Sequence, residues 1–293
     1  MENDFATEVT GEGILLTREN VEGLEIVCRE GLCASLKSNP KRIIPRAEYI
    51  KEILNPMIER REINDGSKPG KFDDRKLRLS LTSINRDKLF LYFGATNYKH
   101  FKEDLLRSPE DNIALQQKGL NLLGERYAFF SRAPGVAGLV ISADGHIWIG
   151  ERIGTQDDPN KLNSVTGHLA YRKNGSSVNL EEDLRREARE EFGLKDEDIE
   201  KISFVGGYLH PNRGDMDFTF LVNSTLPDSY FSSGDWMSKV SDREHKSLVQ
   251  IPSYAVVQEL LKSGRIPGVD KKFNIFYSTR GALQSLRPNE IAS

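Results

Sequence analysis

Cysteine is scarce: Cys28 and Cys33 are the only two in a chain of 293 residues. Two thiols build neither a disulfide framework nor a zinc site, so a reducing, cytoplasmic setting is the simpler expectation. A strong excess of either charge is also missing. Net charge is −3 and the sequence pI about 6.0, which leaves no basic footprint for duplex nucleic acid. No apolar run reaches the ~20 residues a membrane helix needs. The opening residues, MENDFATEV, lack the basic region and apolar run of a signal peptide. Neither nucleic acid nor membrane is therefore an expected partner. Internal repeats and low-complexity segments are absent too.

What is present suits a soluble protein with a real core: 38% hydrophobic and 29% charged residues. Two strand-like runs, GILLT and LEIVC, come first. From Arg46, Tyr49, Ile50, Ile53, Leu54, Met57 and Ile58 recur at helical spacing, and Pro56 is expected to kink or split that helix. The loop from Asn64 to Asp74 reads as a flexible insert. Leu77, Leu79 and Leu81 alternate in KLRLSLTSI, and KLFLYFG follows after NRD, which predicts a hairpin. Residues 98–123 read as mainly helical.

A second pattern starts near Ser131. Asp144-Gly145 between two apolar runs predicts a tight hairpin. SVTGHLAYR, a loop and an acidic helix follow, then ISFVGGYL and DFTFLVN as strands, and YAVVQELLKSG as a helix closed by Gly264. Helices and strands mix without strict alternation. The expectation is an α/β (α+β) fold, a mixed sheet with helices on its faces. An N-terminal α+β extension would cover residues 1–130 and a second domain residues 131–293.

The acidic helix poses the sharpest question. RREAREEFGL, Arg185 to Leu194, places Glu190 and Glu191 just before Gly193, with Glu187 one turn back. Helix C-termini favour cations. Asn179 can cap the N-terminus, with Glu182 placed as in a capping box. Leu180, Leu184 and Ala188 form an apolar stripe, and Gly193 can close the helix in the left-handed region. Glu187, Glu190 and Glu191 share another face. A solvated, salt-bridged helix, with pairs Glu182–Arg186 and Arg186–Glu190, accounts for the arginines. It does not account for like charges at i,i+4 set against the dipole, each costing a few tenths of a kcal/mol. A divalent cation would reverse the sign of these terms. Mg²⁺ or Mn²⁺ takes oxygen ligands and shares its sphere with substrate phosphates.

REAREEFGL resembles the core of the Nudix box, R-E-U-x-E-E-x-G-U with U aliphatic. Arg186, Glu187, Glu190, Glu191 and Gly193 occupy its fixed positions. The box also has a glutamate eight residues before that arginine and a glycine six before the glutamate; here these are Val178 and Arg172. Over most of the chain, KLRLSLTS, LFLYFGATNYKHF, GVAGLVISADGHIWIGER and VTGHLAYR are similar in order to the UDP-glucose/UDP-galactose diphosphatase group of Nudix proteins. That group also carries an N-terminal extension and a degenerate start to its box.

The resemblance implies an αβα sandwich and a metal-dependent diphosphatase. UDP-glucose or UDP-galactose would give UMP and sugar 1-phosphate, with Mg²⁺ or Mn²⁺ as cofactor. Glu190 and Glu191 would be primary ligands, Glu187 a ligand or the base that activates water, and Arg186 the residue that orients Glu187. Asp217 is the candidate further acid, with Asp215 next. Arg152 is a candidate diphosphate contact, and His168 could face the same group. Tyr98 and Phe101 read as core aromatics rather than a base platform. Both cysteines lie in the extension, which speaks against isopentenyl diphosphate isomerase. The competing readings are a diphosphatase for ADP-ribose or NAD, and a catalytically weak nucleotide-binding module. The extension would shape the uridine pocket or pack as a homodimer surface.

Overall fold

A computed structural model of the chain describes residues 7–10, 13–17, 27–28, 75–85, 88–124, 126–153, 161–169 and 179–291. The helix expected after Arg46, the Asn64–Asp74 insert and the turn holding Arg172 and Val178 lie outside the described residues. Of LEIVC, Val27 and Cys28 are described, as a strand.

The first strands are β1 (Thr7–Thr10), β2 (Gly13–Thr17) and β3 (Val27–Cys28). The predicted hairpin is β4 (Arg75–Asn85) and β5 (Lys88–Asn97), which with β3 forms a small sheet in the order β3-β5-β4. Helices α1 (Tyr98–Leu106) and α2 (Pro109–Leu123) follow. Next come β6 (Gly135–Ile141), β7 (Ile147–Arg152), β8 (Lys161–Asn163) and β9 (Val165–His168). The acidic helix is α3 (Leu180–Phe192), followed by β10 (Ile199–Leu209), β11 (Met216–Ser224) and the short α4 (Asp228–Ser232). The chain continues through β12 (His245–Ile251), α5 (Tyr254–Ser263), β13 (Asn274–Ile275) and α6 (Tyr277–Gln284).

Ten of these strands form one mixed sheet in the order β1-β2-β10-β11-β6-β7-β8-β13, with β9 also on β6 and β12 also on β7. The pairs β6–β11 and β8–β13 are parallel, and the others in this sheet are antiparallel. Strand β6 is buried along its whole length, as its unbroken apolar run GVAGLVI demands of a strand covered on both faces. Val136 and Val140 point into a core shared with Leu184, Ala188 and Phe192 of α3. Leu139 and Ile141 point into the opposite core, shared with Val257 and Leu260 of α5 and Ala282 and Leu283 of α6. Two cores on opposite faces of one mixed sheet make the layered αβα arrangement.

The sheet forks at β6. Gly135–Gly138 pair with β9, whereas Val140 and Ile141 pair with β7. The fork leaves the end of β7 and the outer edge of β9 facing each other across a cleft.

The N-terminal segments pack onto this frame. β2 extends the large sheet by pairing with β10, Leu16 opposite Gly207. Arg78 of β4 is buried and donates to the carbonyls of Phe130 and Tyr127, each at 3.1 Å. Gln116 of α2 donates to Pro211 and Asn212 carbonyls in the β10–β11 turn. These ties set α1 beside the cleft. Among the described residues, no helix is long and apolar enough to cross a membrane.

Candidate active site

Helix α3 forms for local reasons. Asn179 Oδ1 accepts the N–H groups of Glu181 and Glu182, each at 3.1 Å, satisfying two of the unpaired donors at a helix start. Gly193 ends the helix with φ 68°, and its N–H and that of Leu194 return to Arg189 and Ala188 carbonyls. Leu180, Leu184, Ala188 and Phe192 bury one face against the sheet. The remaining faces are then fixed, and the three acids separate.

Glu187 faces the cleft beside β9. A Cβ on Gly167 would lie 1.8 Å from Glu187 Oε1, so only a residue without a side chain admits the carboxylate there. Arg186 Nη2 lies 2.7 Å from that same oxygen, and its Nη1 donates to Glu190 Oε2 at 3.0 Å. Glu190 is half-exposed at the rim, held in this ion pair. Glu191 is buried behind Glu187, with Oε2 3.1 Å from His245 Nε2 and 3.4 Å from the Thr166 N–H.

Asp217 of β11, Gly135 of β6 and His168 of β9 lie in one row across the sheet. A Cβ on Gly135 would lie 2.1 Å from Asp217 Oδ1, so this carboxylate too rests against bare backbone. Asp215 is engaged differently. Arg213 grips it with two hydrogen bonds of 2.9 Å, and Tyr277 Oη donates to it at 3.1 Å. His168 packs edge-on to Phe101 with ring centroids 4.4 Å apart. Arg152 lies over the Phe276 ring and 3.2 Å from Glu244 Oε2, while its buried Nε has no hydrogen-bond partner.

A cavity of about 510 Å³ gathers these groups. Arg152, His168, Arg186, Glu187 and Asp217 all line it, together with Lys76, Arg213, Glu244, Phe276 and Tyr277. Glu190 and Glu191 are not on its wall. Tyr98 and Phe101 are: Phe101 is buried, as expected of a core aromatic, with its ring edge-on to His168 at the cleft, and Tyr98 is half-buried beside it.

The electrostatics follow from carboxylates withdrawn from water. Burial, then the neighbouring Glu191 charge, pushes Glu187 up to about 8, against the pull of Arg186. Burial, then Asp215, pushes Asp217 up to about 7. Burial raises Glu191 well above the usual carboxylate range, with Glu244 adding to it. Asp215 is buried as well, but the Arg213 fork outweighs burial and holds it low. Burial, then Lys76, drives His168 down to about 4, so the ring is neutral at neutral pH.

The residues that sequence reasoning missed come from β12, its preceding loop and α6: Glu244, His245, Phe276 and Tyr277. Arg213, in the β10–β11 turn, belongs with them. None lies in a motif. The one available signal for Arg213 is its spacing from Asp215, two residues on.

Searches against protein-family models and against curated proteins return no match. Among solved structures, the chain is similar to the MutT Nudix hydrolase from Burkholderia pseudomallei: 15% identity, 53% of this chain, 98% of that one, TM-score 0.34. It is also similar to the MutT protein from Methanosarcina mazei Go1, at 13% identity over 52% of this chain and 90% of that one, TM-score 0.34. A Nudix hydrolase from Nitrosomonas europaea is similar at 20% identity over 41% and 71%, TM-score 0.27. The likeness is one of fold, over about half of the chain, and any assignment of chemistry rests on the cleft itself.

Proposed function

We propose that this protein is a Nudix-type diphosphatase. In a metal-dependent reaction it hydrolyses a nucleotide sugar, UDP-glucose or UDP-galactose, to UMP and sugar 1-phosphate. The observation that carries this reading is the convergence of Glu187 and Asp217 with Arg152, Arg186, Arg213 and Lys76 on one cleft. Carboxylates and cations in one polar cavity suit a diphosphate that brings its own metal.

The donor set fits Mg²⁺ or Mn²⁺. Glu187 and Asp217 offer hard oxygen donors, and burial, which disfavours their charged forms and raises their pKa values, leaves an ionised pair there that a cation would stabilise. Among the described residues, no three histidines, cysteines or acids are grouped to hold an ion by themselves. That suits a cation held by one or two carboxylates plus substrate phosphates better than a closed protein cage. When bound, such an ion supplies charge neutralisation at the phosphoryl group as water attacks.

The chain supplies the rest. Glu187 takes the ion or the proton of the attacking water. Arg186 holds its carboxylate in place through a charge-assisted hydrogen bond. The planar fork of Arg152, with Nε free, suits a phosphate oxygen pair. Neutral His168 can donate its ring N–H to the diphosphate without adding charge. Tyr98, Phe101 and Phe276 give aromatic surfaces on the wall where a base can lie. Residues 131–293 would thus carry the chemistry, and residues 1–130 would complete the base pocket through α1. The preference for uridine rests on the resemblance over the segment that contains α1.

One observation favours a second reading, a nucleotide-binding module of weak activity: Glu190 is tied to Arg186 outside the cleft wall. A screen of nucleoside diphosphate compounds with Mg²⁺ separates the readings. UMP and sugar 1-phosphate from UDP-sugars are expected, at higher kcat/KM than for ADP-ribose or ADP-glucose. Release of UDP and free sugar, or a clear preference for adenine nucleotides, would contradict the UDP-sugar assignment. No turnover of any compound would favour the second reading.

A further inference from the structure

His245 opens β12 and belongs to no motif. Its side chain is buried, and three contacts fix the ring. A register shift between His245 and Ser247 folds it over Gly150 of β7, where a Cβ would come within 2.2 Å of Nδ1. Phe192, the last residue of α3, meets it edge-on with ring centroids 5.4 Å apart. Nε2 lies 3.1 Å from Glu191 Oε2.

The two ring nitrogens have unlike surroundings. Nδ1 is buried with no hydrogen-bond partner, whereas Nε2 faces a carboxylate. Buried donors are orphaned less often than buried acceptors. A neutral ring therefore keeps its single proton on Nε2 and donates it to Glu191. The other donor to Glu191, the Thr166 N–H at 3.4 Å, falls on the same oxygen. Both ties are on Oε2 and hold the carboxyl from one side.

We propose that His245 is a positioning residue: an Nε2–H donated to Glu191 Oε2 fixes that carboxyl behind Glu187, and so keeps Glu187 seated for the divalent cation. This rests on the proposed function for the cation's purpose, but the contact is open to test on the metal-free protein. Groups that orient a metal ligand typically matter about 10–100-fold in metal affinity.

The test compares His245→Gln with His245→Asn in the full chain. A glutamine amide nitrogen reaches about as far as Nε2; an asparagine nitrogen falls short. Mn²⁺ binding to the metal-free proteins, followed by the electron paramagnetic resonance of free Mn²⁺, is the primary readout, with melting temperature as the fold control. His245→Asn should bind Mn²⁺ about 10–100-fold more weakly, while His245→Gln keeps most of the affinity. In wild type, ¹⁵N NMR should find His245 as the Nε2–H tautomer, its shift moved by Glu191→Gln. Equal Mn²⁺ affinity in wild type and His245→Asn overturns the proposal. So do equal losses in both variants with matching falls in melting temperature, and so does an Nδ1–H tautomer. Normal turnover of nucleotide sugars with no difference between the variants sinks this inference alone. The Gln–Asn difference without turnover of any nucleoside diphosphate sinks the proposed activity alone.

Discussion

Glu187 can occupy its place only because the strand opposite has no side chain there. That gives the residue scale its most direct prediction. Gly167→Ala would put a Cβ 1.8 Å from Glu187 Oε1 and push the carboxylate off its seat. Misplacement by about 1 Å at a reacting group can cost roughly 10²-fold in rate, so kcat should fall by that order while far-ultraviolet circular dichroism stays native. An unchanged kcat would mean that Glu187 is not at the reacting centre. The sequence made Glu187 and Arg186 legible because a helix repeats at fixed spacing, and the order of their neighbours carried Arg152, His168 and Asp217. It could not show that Glu190 turns to the rim and Glu191 to the interior. That division depends on how α3 is rotated against β9, which is a tertiary choice. Arg213, Phe276 and Tyr277 were illegible for the same reason: their chemistry exists only once distant strands bring them together.

At the scale of the element, α3 was readable because everything that defines it is local: a cap, an apolar stripe and a terminating glycine. Asn179 is exposed and its role is confined to the cap. Asn179→Ala should therefore cost about 1 kcal/mol of stability in urea unfolding, with kcat at saturating Mg²⁺ close to wild type. A loss of activity without loss of stability would contradict a purely capping role. Helix α6 shows why other elements escaped. It runs YSTRGALQ, only eight residues with a glycine inside, and it buries Ser278, Thr279 and Gly281. A Cβ on Gly281 would lie 2.5 Å from the Tyr208 ring, so a residue poor for helix propensity is kept for close packing on β10. Strand β12 alternates weakly, HKSLVQI, because it pairs with β7 and leaves much of its length half-exposed.

For the molecule as a whole, buried acid makes stability depend on pH and on metal. Glu187 and Asp217 have folded pKa values of about 8 and about 7, above the ordinary carboxylate range. Between about pH 4 and those values the folded protein keeps protons that the unfolded chain has released. Stability is then fully present at the low end of the window and falls as pH rises, by at most about 1.4 kcal/mol per pH unit for each carboxyl. In metal-free buffer the melting temperature should fall between pH 6 and pH 8, and less so in Glu187→Gln; a flat profile in the wild type would contradict the buried-acid account. Mg²⁺ or Mn²⁺ binding only the folded form should restore stability, by about 2.7 kcal/mol at a hundredfold excess over Kd. Equal thermal shifts in wild type and in a triple Glu-to-Gln variant of Glu187, Glu190 and Glu191 would count against the site.

The central claim is that the acid face of α3 acts on a diphosphate with a metal. The most direct measurement is turnover of UDP-glucose at saturating Mg²⁺ by wild type and by Glu187→Gln, Glu190→Gln and Glu191→Gln, with the nucleotide product identified. The account predicts UMP from wild type, none when Mg²⁺ is chelated, and loss of most turnover in each variant with the fold retained. Near-wild-type turnover in any one of the three variants would contradict it.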